Sequence, residues 1–253
     1  MIAAVAALNI ALGLIYTCYG VMTIIDLKNG WRTNGMSHFG LAWIAMAFTC
    51  GPHHLEHGLH AAVIGGNAGV LDMLAVVLGA PAGITWFLLR VEALTGGSGD
   101  RFIPGTPSWV RALPYLGVVY VAVAAASIIW VLRDGIHLTP RITPNLLLLL
   151  VYGLIGYYLL RTQLNNRAPS GGWSLSGLSL TVVFPTCGVM HVVFAAYAMS
   201  ASYRVESHGL LIDWLAVPAA IYFVWVVRAL HLGALTDWNE GAEGVRPQVA
   251  LAT

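Results

Sequence analysis

Seven stretches of this 253-residue chain are each apolar for long enough to cross a hydrocarbon core, near 2–26, 39–65, 70–95, 112–133, 144–163, 173–200 and 209–235. A span needs about 20 helical residues, and in lipid every backbone N–H and C=O must be paired within its own segment. A chain of this pattern must therefore build a bundle of helices. Its charged residues make up 9% of the total, where a soluble domain carries about 25%, and 58% are hydrophobic. The sequence reads as an all-α, polytopic integral membrane protein of seven transmembrane helices, with the lipid bilayer as its first partner. The first segment is too long, and has no basic residue before it, to be a cleaved signal peptide. Connections are short, so one heptahelical domain over 1–253 is expected. Its longest loop is 96–111, with Pro104 and Pro107, and a polar tail occupies 237–253.

Basic residues set the orientation. With the N-terminus outside, Lys28, Arg32, Arg90, Arg101, Arg111, Arg161, Arg167, Arg228 and Arg246 face the cytoplasm, and only Arg133, Arg141 and Arg204 face out. That split of nine to three of the twelve predicts a cell-membrane protein with its N-terminus outside and a cytoplasmic C-terminal tail. The net charge of +1 and the lack of any basic cluster give no reason to expect a nucleic-acid partner. Cys18, Cys50 and Cys187 fall inside the apolar segments, which argues against a disulfide framework.

The chain also repeats itself at a spacing of about 137 residues. Tyr16, Gly20 and Asn29 match Tyr152, Gly156 and Asn165; Thr49-Cys50-Gly51-Pro52-His53-His54 matches Thr186-Cys187-Gly188-Val189-Met190-His191; and Asp72-Met73-Leu74-Ala75-Val76 matches Asp213-Trp214-Leu215-Ala216-Val217. The last two share T-C-G-x-x-H and D-x-L-A-V. An internal duplication is expected, with repeat 1 over about 2–95, a linker helix over 112–133 and repeat 2 over about 144–235. This 3+1+3 plan resembles that of the SWEET-type sugar transporters and microbial rhodopsins in architecture only. A retinal protein needs a lysine in its seventh helix, and the only lysine here is Lys28.

Inside the second segment, His53-His54-Leu55-Glu56-His57-Gly58-Leu59-His60 crowds five ionisable side chains into eight residues. On a helix Cys50, His53, His54, His57 and His60 share one face roughly 120° wide. Such groups are costly in hydrocarbon and are kept where they face the bundle interior and have a task. Imidazole is the commonest protein ligand of transition metals. The expected ligands are His53, His57 and His60, of which His53 and His57 form an i, i+4 chelating pair, with His191 reaching in from the sixth helix. Glu56, Asp72 and Asp213 are the candidate acid–base groups, and either aspartate could instead ligate or fix the tautomer of a ligating imidazole. Pro52 and Pro185, at matching positions, are expected to interrupt their helices beside the site. The ion could be zinc, copper or iron.

His53-x-x-Glu56-His57 resembles the H-x-x-E-H string of the inverzincin metalloproteases over five residues, which would imply His53 and His57 as zinc ligands and Glu56 as the base. The run His53-His54-x-x-His57-x-x-His60 resembles the histidine boxes of membrane desaturases and hydroxylases, which would imply a diiron centre. His54 and His191, equivalent by repeat, could also ligate a haem. Three function classes follow. The first is a metal-dependent membrane enzyme, a hydrolase or oxidoreductase, acting on an apolar or lipid-like substrate. The second is a transporter or binding protein for copper or zinc. The third is a proton-coupled solute carrier with titrating histidines.

Overall fold

The computed structural model describes residues 1–64, 69–133, 138–199, 210–235 and 237. Within them lie seven helices: α1 (Ile2–Asn34), α2 (His38–Ile64), α3 (Val70–Leu94), α4 (Ser108–Arg133), α5 (Ile142–Asn166), α6 (Leu175–Met199) and α7 (Leu210–His231). Six are long and apolar enough to cross a membrane. The exception is α2, whose histidines lower its hydropathy. The polar tail expected over 237–253 lies outside the described residues except for Asp237.

Helix boundaries depart from the apolar segments where polar residues continue a helix. α1 outlasts its apolar part by two turns and ends at Gly35, whose φ of 75° suits a residue without a Cβ and whose N–H returns to the Trp31 carbonyl. The 96–111 loop carries a short strand, β1 (Phe102–Ile103), paired antiparallel with β2 (Trp173–Ser174). α6 therefore starts at Leu175, two residues later than its apolar run. Asp100 accepts the Ser176 N–H at 2.9 Å and so ties this loop to the start of α6.

α1 packs on α2 and α3, and α5 packs in the same way on α6 and α7. The two groups are joined crosswise, α2 against α7 and α6 against α3, while α4 lies outside and touches α5 and α6 lightly. Tyr115, Val118, Val121 and Leu132 of α4 are exposed, as a lipid-facing helix requires. α1 and α2 approach closely at glycines. A Cβ on Gly13 would stand 2.7 Å from the Leu55 nitrogen and 2.8 Å from the Gly51 carbonyl oxygen. Pro52 and Pro185 do not break their helices, contrary to expectation. α2 and α6 run continuously through them. The neighbouring helix packs directly on each turn, Thr17 on Gly51 and Gly156 on Pro185, and holds the helical path.

Trp43, Trp86, Phe184 and Phe223 fill the centre of the bundle toward the end where α2 and α6 begin. Trp43 meets Trp86 at 4.1 Å between ring centroids, and Phe184 meets Phe223 at 5.0 Å. Tyr19 stacks beside Trp86 at 4.2 Å, and the ion pair of Asp26 with Arg90 lies nearby.

Candidate metal centre

Further along the bundle from this aromatic layer, three helices each contribute one polar side chain to a common point. α2 supplies His53, α6 His191 and α7 Asp213, all buried. His53 Nδ1 lies 3.0 Å from Asp213 Oδ1, and His191 Nδ1 lies 3.9 Å from the same oxygen. One ligand atom from each of the three lies within 4.8 Å of the others, so the group could hold a metal ion. His53 Nδ1 and Asp213 Oδ1 meet in a close polar contact without an aligned hydrogen bond, and His53 Nε2 has no hydrogen-bond partner among the described residues. A buried polar atom left unpaired costs about 1–3 kcal/mol. A cation bound at the unpaired nitrogen would remove that cost.

Asn145 of α5 positions two of the three. Its amide nitrogen donates to the Arg141 carbonyl at 2.8 Å and to Asp213 Oδ2 at 3.0 Å. With the amide oriented in this way, its Oδ1 accepts from His191 Nδ1 at 2.6 Å. The proton on His191 is thereby held at Nδ1, which leaves the Nε2 lone pair for a ligand.

The same polar arrangement occurs a second time. The Asn9 amide donates to the Val5 carbonyl at 2.9 Å, and its Oδ1 lies 2.8 Å from His54 Nδ1. Tyr16 meets the His54 ring edge-on at 5.4 Å, and Tyr152 meets the His191 ring at 5.5 Å. Cys50 Sγ lies 3.1 Å from the Tyr152 hydroxyl, while Cys187 and Tyr16 line one cavity together. Each tyrosine therefore stands near the cysteine of the other group of helices.

The eight side chains expected to form the site are distributed unequally. His53, His191 and Asp213 come together. His57 does not join them and instead has its Nε2 3.8 Å from Asp72 Oδ1. One turn beyond His53, the His57 ring packs edge-on against Phe194 of α6 at 4.6 Å, and its Nε2 reaches Asp72 of α3 rather than Asp213 of α7. The third place near His53 and His191 thus goes to Asp213, which the sequence offered both as a catalytic group and as a possible ligand. Asp72 is further engaged by the Gly69 N–H at 3.0 Å, where it caps the start of α3. His54 pairs with Asn9 rather than with His191. Glu56 and His60 are half-buried on α2.

Asn145 was not legible as a site residue. Its signal was available, since it follows Asn9 by the 136 residues that separate Tyr16 from Tyr152. A small cavity opens beside His53, His191 and Asp213, walled also by Cys50, His54, Tyr152, Cys187 and Met190. No family model matches the chain, and no curated protein or solved structure is significantly similar to it.

Proposed function

We propose that this protein is a metal-dependent integral membrane enzyme whose ion is held by His53, His191 and Asp213. The observation that carries the reading is that ligand set, in which two imidazoles and one carboxylate from three helices surround a point beside a cavity. Three protein ligands with an open position are the pattern of catalytic zinc, and two histidines with one carboxylate also suit ferrous iron. An ion there would act as a Lewis acid or lower the pKa of a bound water, in a site from which bulk water is excluded. Asn145 orients two of the ligands, and His57 with Asp72 stands one turn away as a proton-handling pair. The substrate class this setting favours is apolar or lipid-like.

The aromatic layer of Trp43, Trp86, Phe184 and Phe223 supports a one-sided site over a through-path, and hence an enzyme over a carrier. In this reading seven helices cross the cell membrane with the N-terminus outside, and the site opens to the extracytoplasmic half. The duplication is part of it. The crosswise packing of α2 on α7 and α6 on α3, with the twin His–Asn and Tyr–Cys pairs, is what two fused three-helix repeats around a linker α4 would produce.

Transport of zinc or copper is the second reading, favoured by the position of the site where the two groups of helices cross. Elemental analysis of detergent-purified protein after chelator treatment separates the two. An enzyme retains its ion at fixed stoichiometry, loses it in His53→Ala and Asp213→Asn, and gives no metal flux in proteoliposomes. Flux abolished by the same variants would reverse the choice. Absence of both bound metal and metal flux, in wild type grown with zinc, copper and iron, would defeat both.

A further inference from the structure

A second cavity adjoins the first and shares His54, Cys187 and Met190 with it, so these three side chains stand between the two. Its walls include Tyr16, His54, Thr186, Cys187 and Met190, with apolar residues of α1 and α3. Met190 occupies on α6 the place that His53 has on α2, 137 residues earlier. His54 occupies the place of His191. The two cavities are thus counterparts in which one imidazole has been exchanged for a thioether.

His54 faces this cavity with an unused lone pair. Its Nδ1 must donate to Asn9 Oδ1, because the Asn9 amide is already spent on the Val5 carbonyl. That leaves Nε2 as the acceptor nitrogen, buried at 3% exposure of the residue and without a hydrogen-bond partner among the described residues. Cys187 is a buried free thiol on the same wall. The carboxylate that would complete a hard site, Asp72, is held by the Gly69 N–H and directed toward His57.

From this geometry we infer a second metal site, formed by His54 Nε2, Cys187 Sγ and Met190 Sδ, that takes a soft monovalent ion, Cu(I). Thiolate, thioether and imidazole select Cu(I) over the harder divalent ions. Charge gives an independent argument. Binding replaces the thiol proton by the ion, so Cu(I) and one thiolate make a neutral site, and one proton is released. A divalent ion in the same place would leave a net positive charge in a dry, low-dielectric interior, which is costly. This site uses neither His53 nor Asp213, so it stands or falls separately from the enzyme reading.

The test is an anaerobic titration of the detergent-purified full chain with Cu(I), in competition with the chelator bicinchoninate. One equivalent should be taken from the chelator by wild type, His53→Ala and Asp213→Asn alike. Met190→Leu, which conserves volume, and Cys187→Ser should each weaken binding by about tenfold or more. X-ray absorption of the copper-loaded wild type should show sulfur ligands. Thermal melting checks that each variant is folded, and Met190→Leu carries the test if Cys187→Ser is not. The inference is overturned if wild type takes no Cu(I), if folded Met190→Leu binds as tightly as wild type, or if binding is lost in His53→Ala.

Discussion

His191 Nδ1 lies 2.6 Å from Asn145 Oδ1, a contact that spans α6 and α5 and fixes which nitrogen of the histidine carries its proton. The same asparagine reaches Asp213 Oδ2 at 3.0 Å. One side chain that cannot itself titrate therefore sets the tautomer of His191 and the rotamer of Asp213, two of the three proposed ligands. Partners of this kind are where metal affinity is adjusted without changing the ligand set.

Asn145→Leu keeps the branched shape of the side chain and removes its three hydrogen bonds, to Arg141, Asp213 and His191. Zinc affinity, measured by competition with a chromophoric chelator, should fall about 10–100-fold, while the protein remains folded. Asn9→Leu, which disturbs His54 instead, should leave the affinity of the His53 site near that of wild type. Equal losses in the two variants would mean that the asparagines act only in helix packing.

The two histidines of the i, i+4 pair should behave differently. His53→Ala removes a ligand and should abolish stoichiometric metal in the purified protein. His57→Ala should leave the metal in place, because His57 faces Asp72 across 3.8 Å and lies outside the three-residue cluster. Metal content by mass spectrometry decides the matter. Loss of the ion in His57→Ala would return the site to the chelating pair that the spacing alone suggests.

What the sequence made legible follows from which interactions leave a pattern. Seven apolar runs correspond to the seven helices because the bilayer demands length and apolarity and little else. His191 and Asp213 could be read from T-C-G-x-x-H and D-x-L-A-V, where rare intramembrane polar residues stand in matched strings. Which of them meet could not be read, since that depends on helix crossings. His53 and His57 share one face of α2 and both rings meet Phe194 of α6, yet the first reaches Asp213 of α7 and the second Asp72 of α3. Asn145 carried no local mark, because a single asparagine in a run of leucines looks like an interhelical bond of any kind. The aromatic layer was hidden for a similar reason, as Trp43 and Trp86 read as ordinary apolar residues until their rings are seen in contact.

Close packing of α1 on α2 gives a stability prediction independent of any metal. A Cβ on Gly58 would stand 2.9 Å from both the Ala6 carbonyl oxygen and the Ile10 nitrogen, which are backbone atoms that cannot swing away. Gly58→Val should therefore destabilise the protein by about 1–3 kcal/mol, read as a lower melting temperature in detergent. Gly117→Ala, on the lipid-facing α4 with nothing within 4 Å of the added Cβ, should not lower it. A Gly58→Val variant as stable as wild type would mean that α1 and α2 are less closely apposed.

Orientation is the remaining prediction, and it decides which compartment the site serves. Lys and Arg outnumber nine to three on the side assigned to the cytoplasm, which includes the 96–111 loop. The pairing of Phe102 with Ser174 and Ile103 with Trp173 adds a constraint, since it requires that loop and the start of α6 to lie on the same side. Ser98 and Leu138 are both exposed and flank α4 at opposite ends, so they should report opposite compartments. In a variant with its native cysteines replaced, a cysteine at Leu138 should react with a membrane-impermeant maleimide on intact cells. One at Ser98 should react only after the membrane is opened. Labelling of the Ser98 position from outside would invert the topology and turn the His53, His191 and Asp213 cluster toward the cytoplasmic half, where an enzyme would meet a different pool of substrates and metals.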